Sequence, residues 1–361
     1  MASSINASTT TGLVSTADLS GILNLQSNGT TIATVQSTGF SLPTTSTINA
    51  ANTFGFENRI INGGMTIDQR NAGAATANTI NGYTLDRWVV GQDVTGKLIV
   101  QQNAGSVTPP AGFINYLGIT SQSAYTVTST QQFYLQQPIE GLNVADLAWG
   151  TASAKTVTLS FWVRSSLTGT FGGALKNSST ARSYPFSYTI SVANTWEQKS
   201  VTIAGDTTGT WLTTNGVGIY LAFGLGVGST LSGTAGAWAA ANYTSATGAV
   251  SVVGTNGATF YITGVQFEVG SQATSFDFRD YGTELVRCQR YYEVGGGVVT
   301  NPNNYYSFYY KVTKRTNATV VNVVAAGGTV SAGASNGATE WYQNSNATAL
   351  STMNFTASAE L

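Results

Sequence analysis

The chain contains no histidine and a single cysteine, Cys288, in 361 residues. Without histidine the commonest general base and metal ligand are missing, and a Ser–His–Asp triad is impossible. One cysteine excludes intrachain disulfides and cysteine-ligated zinc or iron–sulfur sites. Charge is scarce too: Asp, Glu, Lys and Arg make up 9% of the chain and leave a net charge of −1, where ~25% charged residues is ordinary. Nucleic acid binding needs clustered Lys and Arg. The densest group, Lys311, Lys314 and Arg315, reads as an exposed strand end, so no nucleic-acid partner is expected. The longest apolar run, Val217–Val227, is too short for a membrane span and is interrupted by glycine.

Hydrophobic content is nevertheless ordinary at 42%, so the missing charge has been replaced by Gly, Ser, Thr, Asn and Ala rather than by core residues. Val157, Leu159, Phe161 and Val163 alternate with Thr158, Ser160 and Arg164, and Tyr184, Phe186, Tyr188 and Ile190 repeat the pattern. Val217 to Val227 extends it, and Phe260 and Ile262 resume it after a turn. Gly264 marks a bulge before Val265, Phe267 and Val269 return to the core side. Period two with one apolar face predicts antiparallel sheets covered on one side, and short Gly/Ser/Asn/Thr turns predict a sandwich. The one helix expected lies in 283–293, with Leu285, Cys288 and Tyr292 on one face and Cys288 as a buried packing residue.

The first 50 residues hold 20 Ser/Thr, no Lys or Arg and one acidic residue, Asp18. Within them 21–26 and 31–35 alternate around Ser27-Asn28-Gly29-Thr30, a hairpin signal. A lone hairpin is marginal in water and needs something to pack on. Residues from Gly39 to Thr47 read as a linker. Beyond Gly295-Gly296-Gly297, the aromatic run from Tyr305 and later strands predict a small second β region of marginal size. Three parts are therefore expected: an arm and linker over 1–55, an antiparallel jelly-roll sandwich ending in a short helix over 56–294, and a small C-terminal β tip over 295–361.

Two long segments bracket the middle part. Asn58-Arg59-Ile60-Ile61-Asn62-Gly63-Gly64-Met65-Thr66-Ile67-Asp68-Gln69-Arg70, with Leu85-Asp86-Arg87-Trp88, opens it. Phe276-Asp277-Phe278-Arg279-Asp280-Tyr281-Gly282-Thr283-Glu284-Leu285-Val286-Arg287-Cys288-Gln289-Arg290-Tyr291-Tyr292-Glu293 closes it. In that order they resemble the opening and closing signatures of a β-rich module of tailed-bacteriophage tail fibres and other virion structural proteins. Between them, Phe161-Trp162-Val163-Arg164, the segment Thr195–Ile203 and the segment Ile262–Gly270 resemble strands of jelly-roll carbohydrate-binding modules. The resemblance implies a virion component, attached through 1–55, that presents a surface to a partner such as a host glycan. It also implies synthesis in the host bacterial cytoplasm, with which Met1-Ala2-Ser3-Ser4-Ile5-Asn6 agrees, since it lacks the basic and apolar regions of a targeting signal. A tail fibre or adhesin is the first expectation. A capsid-surface head fibre or decoration protein is the alternative, and a glycan depolymerase a distant one.

Glycan cleavage needs two carboxylates at a set separation, one with a raised pKa. Glu197, Asp206 and Glu268 lie near strands of the sandwich, but no compact motif pairs them, and surface or turn roles are the simpler reading. The chain is therefore expected to be non-enzymatic. Sugar recognition uses aromatic faces with nearby amides and hydroxyls. Trp211, Trp238, Tyr243 and the distal Trp341-Tyr342 fall between strands or near the end of the chain and are the candidate glycan contacts; loop anchoring or subunit packing is the competing role. Trp88 and Trp162 read as structural. The resemblance makes Glu268 a conceivable Ca²⁺ ligand, but no Asp-rich loop accompanies it, so no metal and no cofactor are assigned. Low surface charge, the hairpin and the small β tip together predict a homotrimer, whose close approach Gly295-Gly296-Gly297 would permit.

Overall fold

The alternating segments pair as expected in a computed structural model, which describes residues 23–27, 30–36, 39–41, 57–77, 81–299, 304–325, 334–335, 337–345 and 351–361. The chain forms two compact units, Met1–Thr53 and Phe54–Leu361. In the first, Leu23–Ser27 pairs with Thr30–Gln36 in antiparallel register, with Ser27 opposite Thr30. That register agrees with the hairpin signal read in the sequence. Gly39–Ser41, read above as linker, is instead a third strand on Thr30–Gln36.

The second unit is built on two six-stranded antiparallel sheets stacked as a jelly-roll sandwich. One sheet runs Glu197–Ile203, Val157–Ser165, Thr259–Val269, Leu117–Ser121, Leu98–Gln102, Thr76–Ala77; the other runs Ser183–Ile190, Gly169–Asn177, Val217–Val227, Gln132–Glu140, Trp88–Gln92, Gly82–Leu85. Leu159, Phe161, Val163, Phe260, Ile262 and Phe267 of the first face Phe133, Leu135, Leu221, Phe223, Phe186 and Tyr188 of the second in one buried core. Gly264 is the bulge expected: pairing shifts between Ser160 and Trp162. Its φ of +61° and the Phe113 ring, 2.6 Å from where a Cβ would stand, both require glycine.

The outer face of the second sheet is not open. The excursion between Val217–Val227 and Thr259–Val269 folds back over it, with Ser245 against Gly172 and Gly224. Lys176 is thereby buried, its Nζ donating to Thr244 Oγ1 at 3.1 Å, and burial lowers its pKa to about 8.

The helix spans Tyr281–Gln289, capped by Asp280, which accepts from the Thr283 N–H at 2.9 Å. It ends four residues earlier than the pattern suggested, because Tyr292 opens the strand Tyr292–Val299. Cys288 is fully buried with Ile61, Ile67 and Tyr291, as expected. Two three-stranded sheets follow, Tyr292–Val299/Ser351–Ser358/Thr319–Ala325 and Asn304–Tyr309/Glu340–Ser345/Ala334–Ser335. The glycine triplet lies inside the first of these strands, and a Cβ on Gly295 would meet the Phe355 ring at 2.4 Å. That glycine is required by packing within the chain.

The basic trio is not an exposed strand end. Lys314 is buried and pairs with Glu293 at 2.6 Å, Lys311 Nζ donates to Val294 O, and Arg315 donates to the carbonyls of Ala359, Glu360 and Asn215. Further anchoring comes from Glu360, which pairs with Arg70 at 2.7 Å and with the fully buried Arg87. Tyr292 and Tyr291 rings lie 3.6 Å from the guanidinium carbons of Arg70 and Arg87 respectively. Among the described residues, no helix is long and apolar enough to cross a membrane.

Candidate functional site

The two signature segments meet. Asn58 Oδ1 accepts from the N–H of Ile60 and of Phe267, and its Nδ2 donates to Val265 O at 2.9 Å. Asn62 does the same work one turn on, holding Ile67 and Asp86 O, while Trp88 Nε1 donates to Asn62 O at 3.0 Å. From the closing segment, Arg279 donates to the Ile60 and Asn58 carbonyls and pairs with Glu284, which accepts from the Asn62 N–H. Buried polar groups demand partners, and each asparagine here satisfies two backbone directions at once. The motifs are the two halves of a clasp.

Beside the clasp is a groove of about 290 Å³, lined by Phe113, Ile114, Phe276, Phe278 and Tyr281. The three phenylalanine rings pack with centroids 4.8–5.2 Å apart, Phe276 edge-on to both others. Ile114, Phe278 and Tyr281 are 76%, 61% and 62% exposed. This groove was missed in the sequence. Its signal was Pro109-Pro110-Ala111-Gly112-Phe113-Ile114, a turn followed by two large apolar residues that no strand pattern absorbs.

Trp211 and Trp238, from different loops, converge on Trp149, which had not been singled out. The three indoles stand edge-to-face at 4.8 and 5.3 Å. Each Nε1 is already used: Trp149 donates to Lys155 O, Trp211 to Thr208 O and Trp238 to Ala204 O at 2.7 Å. Trp149 is buried, Trp211 and Trp238 are half-buried against the sandwich core, and the cavity beside Trp149 and Trp211 is only about 10 Å³. A sugar could meet only the outer ring surfaces. Tyr243 is half-buried with its ring across Gly233, and among the described residues no ring contact joins it to the tryptophans. Trp341 and Tyr342 lie in the strand Glu340–Ser345, opposite Phe308 and Ser307; their side chains fall outside the described residues.

The carboxylates considered for catalysis each have separate structural partners. Glu197 accepts from the Ser191 and Val192 N–H groups and from Lys199. Burial pushes it up, but Lys199 and those N–H groups outweigh burial and hold it below the usual range. Asp206 is gripped by Arg182 through two bonds of 2.7 and 2.8 Å; burial again opposes, and the guanidinium prevails. Glu268 is fully buried and accepts from Gln266 and from Thr274 N and Oγ1. Burial raises Glu57, helped by Glu268 and Asp277. Asp86 is pushed up to about 7 by burial, but it is wholly enclosed. No group of three or more His, Cys, Asp or Glu able to hold a metal occurs among the described residues.

No protein-family profile matches the chain, and no curated protein matches it. Solved structures do align. The enzymatically active domain of tailspike protein 4 of bacteriophage CBA120 is 13% identical, with a TM-score of 0.33, over 59% of this chain and 21% of that one. The alignment thus spans about a fifth of that domain's chain. The TmCBM61 structure in complex with β-1,4-galactotriose is 13% identical, with a TM-score of 0.29, over 60% of this chain and all of that one. A family 11 carbohydrate-binding module from Clostridium thermocellum is 10% identical, with a TM-score of 0.27, over 54% and 96% of the respective chains. The sandwich assignment rests on the sheet topology above.

Proposed function

We propose that the chain is a non-enzymatic structural component of a tailed-phage virion, a trimeric tail fibre or adhesin that presents a glycan-contacting surface. The observation that carries this reading is the clasp. Two segments that resemble virion-module signatures, with partners 219 to 222 residues apart, close on each other as one device. The N-terminal unit, a small three-stranded sheet, suits attachment to other particle proteins. Binding without cutting is supported by Glu197, Asp206 and Glu268, each of which spends its oxygens on its own structural partners.

The glycan surface is assigned to the outer faces of Trp211 and Trp238, with Tyr243, Trp341 and Tyr342 as further contacts. One such site binds weakly, since a wet polar ligand gains little on exchanging water for protein. Repetition around a trimer raises avidity by ~10²–10⁴ where geometry allows. The test is competition: purified chain added to host cells should reduce adsorption of the parent phage, and Trp211→Ala with Trp238→Ala should weaken that block. Release of reducing sugar from envelope polysaccharide would move the protein to the depolymerase reading.

A further inference from the structure

We propose that a depression lined by Asn143, Arg287 and Arg290 binds an oxyanion carried on a sugar, either the carboxylate of a uronic acid or a phosphate ester. The inference rests on the glycan reading above and names the class of glycan. The depression holds about 320 Å³, with Ile61 and Tyr291 completing its wall. Small-ligand sites begin near ~300 Å³, so there is room for one sugar ring.

The donors of this depression are held from behind. Glu140 is buried and accepts from Arg290 Nε at 3.0 Å and Nη2 at 2.6 Å, and Tyr291 Oη donates to the same carboxylate at 2.5 Å. That grip fixes the Arg290 guanidinium while Nη1 makes no hydrogen bond among the described residues. The Asn143 carboxamide makes none there either, since only its backbone carbonyl accepts, from Arg59 Nη1 at 3.4 Å. Arg287 stands three residues before Arg290, on the same side of the helix end. It is half-buried, and burial, then Arg279, lower its pKa, with Glu284 and Asp277 opposing but not reversing the shift. An oxyanion in the depression would add to the negative charge that favours this cation. Guanidinium N–H groups match carboxylate and phosphate oxygens in geometry and bind them more strongly than neutral hydroxyls. Asp146, the exposed carboxylate on the next turn, is taken by Arg59 at 2.9 Å.

A second observation ties this depression to the tryptophan trio. Val144, the next residue after Asn143, lines the small cavity beside Trp149 and Trp211. Consecutive Cα atoms are ~3.8 Å apart, so one stretch of backbone walls both cavities. The turn Gly141–Asn143 is itself fixed, with the Gly141 and Leu142 N–H groups donating to Gly216 O and Thr214 O at 2.8 and 2.9 Å. A short saccharide lying across residues 143 and 144 would place one ring against the outer face of Trp211 and an acidic neighbour over the arginines. The indole would supply stacking, and Arg287 and Arg290 would read the charge.

The test titrates three probes into the full chain by calorimetry: tetragalacturonate, the same oligosaccharide with its carboxylates reduced to alcohols, and a phosphorylated mannan oligosaccharide. The proposal expects one of the two acidic probes to bind about tenfold more tightly than the reduced one, and added salt to weaken that binding. Which acidic probe binds decides between carboxylate and phosphate. Arg287→Gln should lose about fivefold or more of the preference, and Arg287→Lys should recover part of it. Asn143→Asp, which sets a carboxylate at the mouth without touching the core, should lose as much, and it decides the question if circular dichroism shows Arg287→Gln misfolded. No preference for either acidic probe over the reduced one overturns the inference, as does wild-type preference in Asn143→Asp and in a folded Arg287→Gln. If Trp211→Ala with Trp238→Ala weakens the adsorption block while Arg287→Gln and Asn143→Asp leave acidic binding unchanged, this site falls and the glycan reading stands.

Discussion

Two trios of aromatic rings on this molecule share ring spacings near 5 Å and differ in what surrounds them. Trp149, Trp211 and Trp238 pack edge-to-face near 5 Å, and Phe276 stands edge-on at similar distances to Phe113 and Phe278, which are tilted 39° to each other. The tryptophans rest on the sandwich core through Phe267 and Tyr184, and every indole N–H reaches a backbone carbonyl. The phenylalanines have no polar handle, and their neighbours Ile114 and Tyr281 stand in solvent. Ring geometry alone therefore does not separate scaffold from contact surface. Satisfied donors and the depth of the surrounding atoms make Trp149 scaffold and leave only the outer faces of Trp211 and Trp238 for contact.

The sharpest way to break this contrast is at its buried centre. Trp149→Ala should cost about 3–5 kcal/mol, the range for deleting a buried tryptophan, measured as a lower urea midpoint with unchanged slope. Next comes the sheet face beneath the excursion that Trp238 pins. Lys176 is charged below pH 8 in both folded and unfolded chains, so its burial penalty is fully present there. The penalty is relieved as pH rises from about 8 toward the unfolded value of 10.5. Lys176→Met should stabilise the fold at pH 7 by up to about 3 kcal/mol, and the gap between variant and wild type should narrow above pH 8. Equal stability of the two at pH 7 would show that the ammonium reaches water.

Trp238→Ala should cost about 1–3 kcal/mol and speed amide exchange across 229–258, because Ala204 O loses its donor and Tyr184 its ring contact. The smallest effect belongs to the other trio. Phe278→Ser should change monomer stability by no more than about 0.5 kcal/mol. A larger loss would mean that the phenylalanine cluster is scaffold too.

What could be read from sequence followed local rules. Val157, Leu159, Phe161 and Val163 announce a strand because the side-chain period is two, and Gly264 announces a bulge because a glycine interrupts that period. Trp211 and Trp238 were visible as loop tryptophans, but their meeting on Trp149 depends on loops brought together by the second sheet. Two readings failed, for different reasons. Lys314 looked exposed because its partner Glu293 is on the neighbouring strand region, 21 residues away. The intrachain role of Gly295 was hidden because Phe355 is 60 residues on, at its paired position. Gly39–Ser41 looked like linker because three residues are too few to show alternation. The groove escaped because its rings come from two non-periodic segments, 113 and 276–278, that meet only in the folded chain.

The central claim is that this chain stands on a phage tail. Electron microscopy of purified particles decorated with an antibody to the chain tests it most directly. The account predicts label on the tail or baseplate. Label distributed with the capsomers, or particles free of label while the chain accumulates in host cytoplasm, would contradict it.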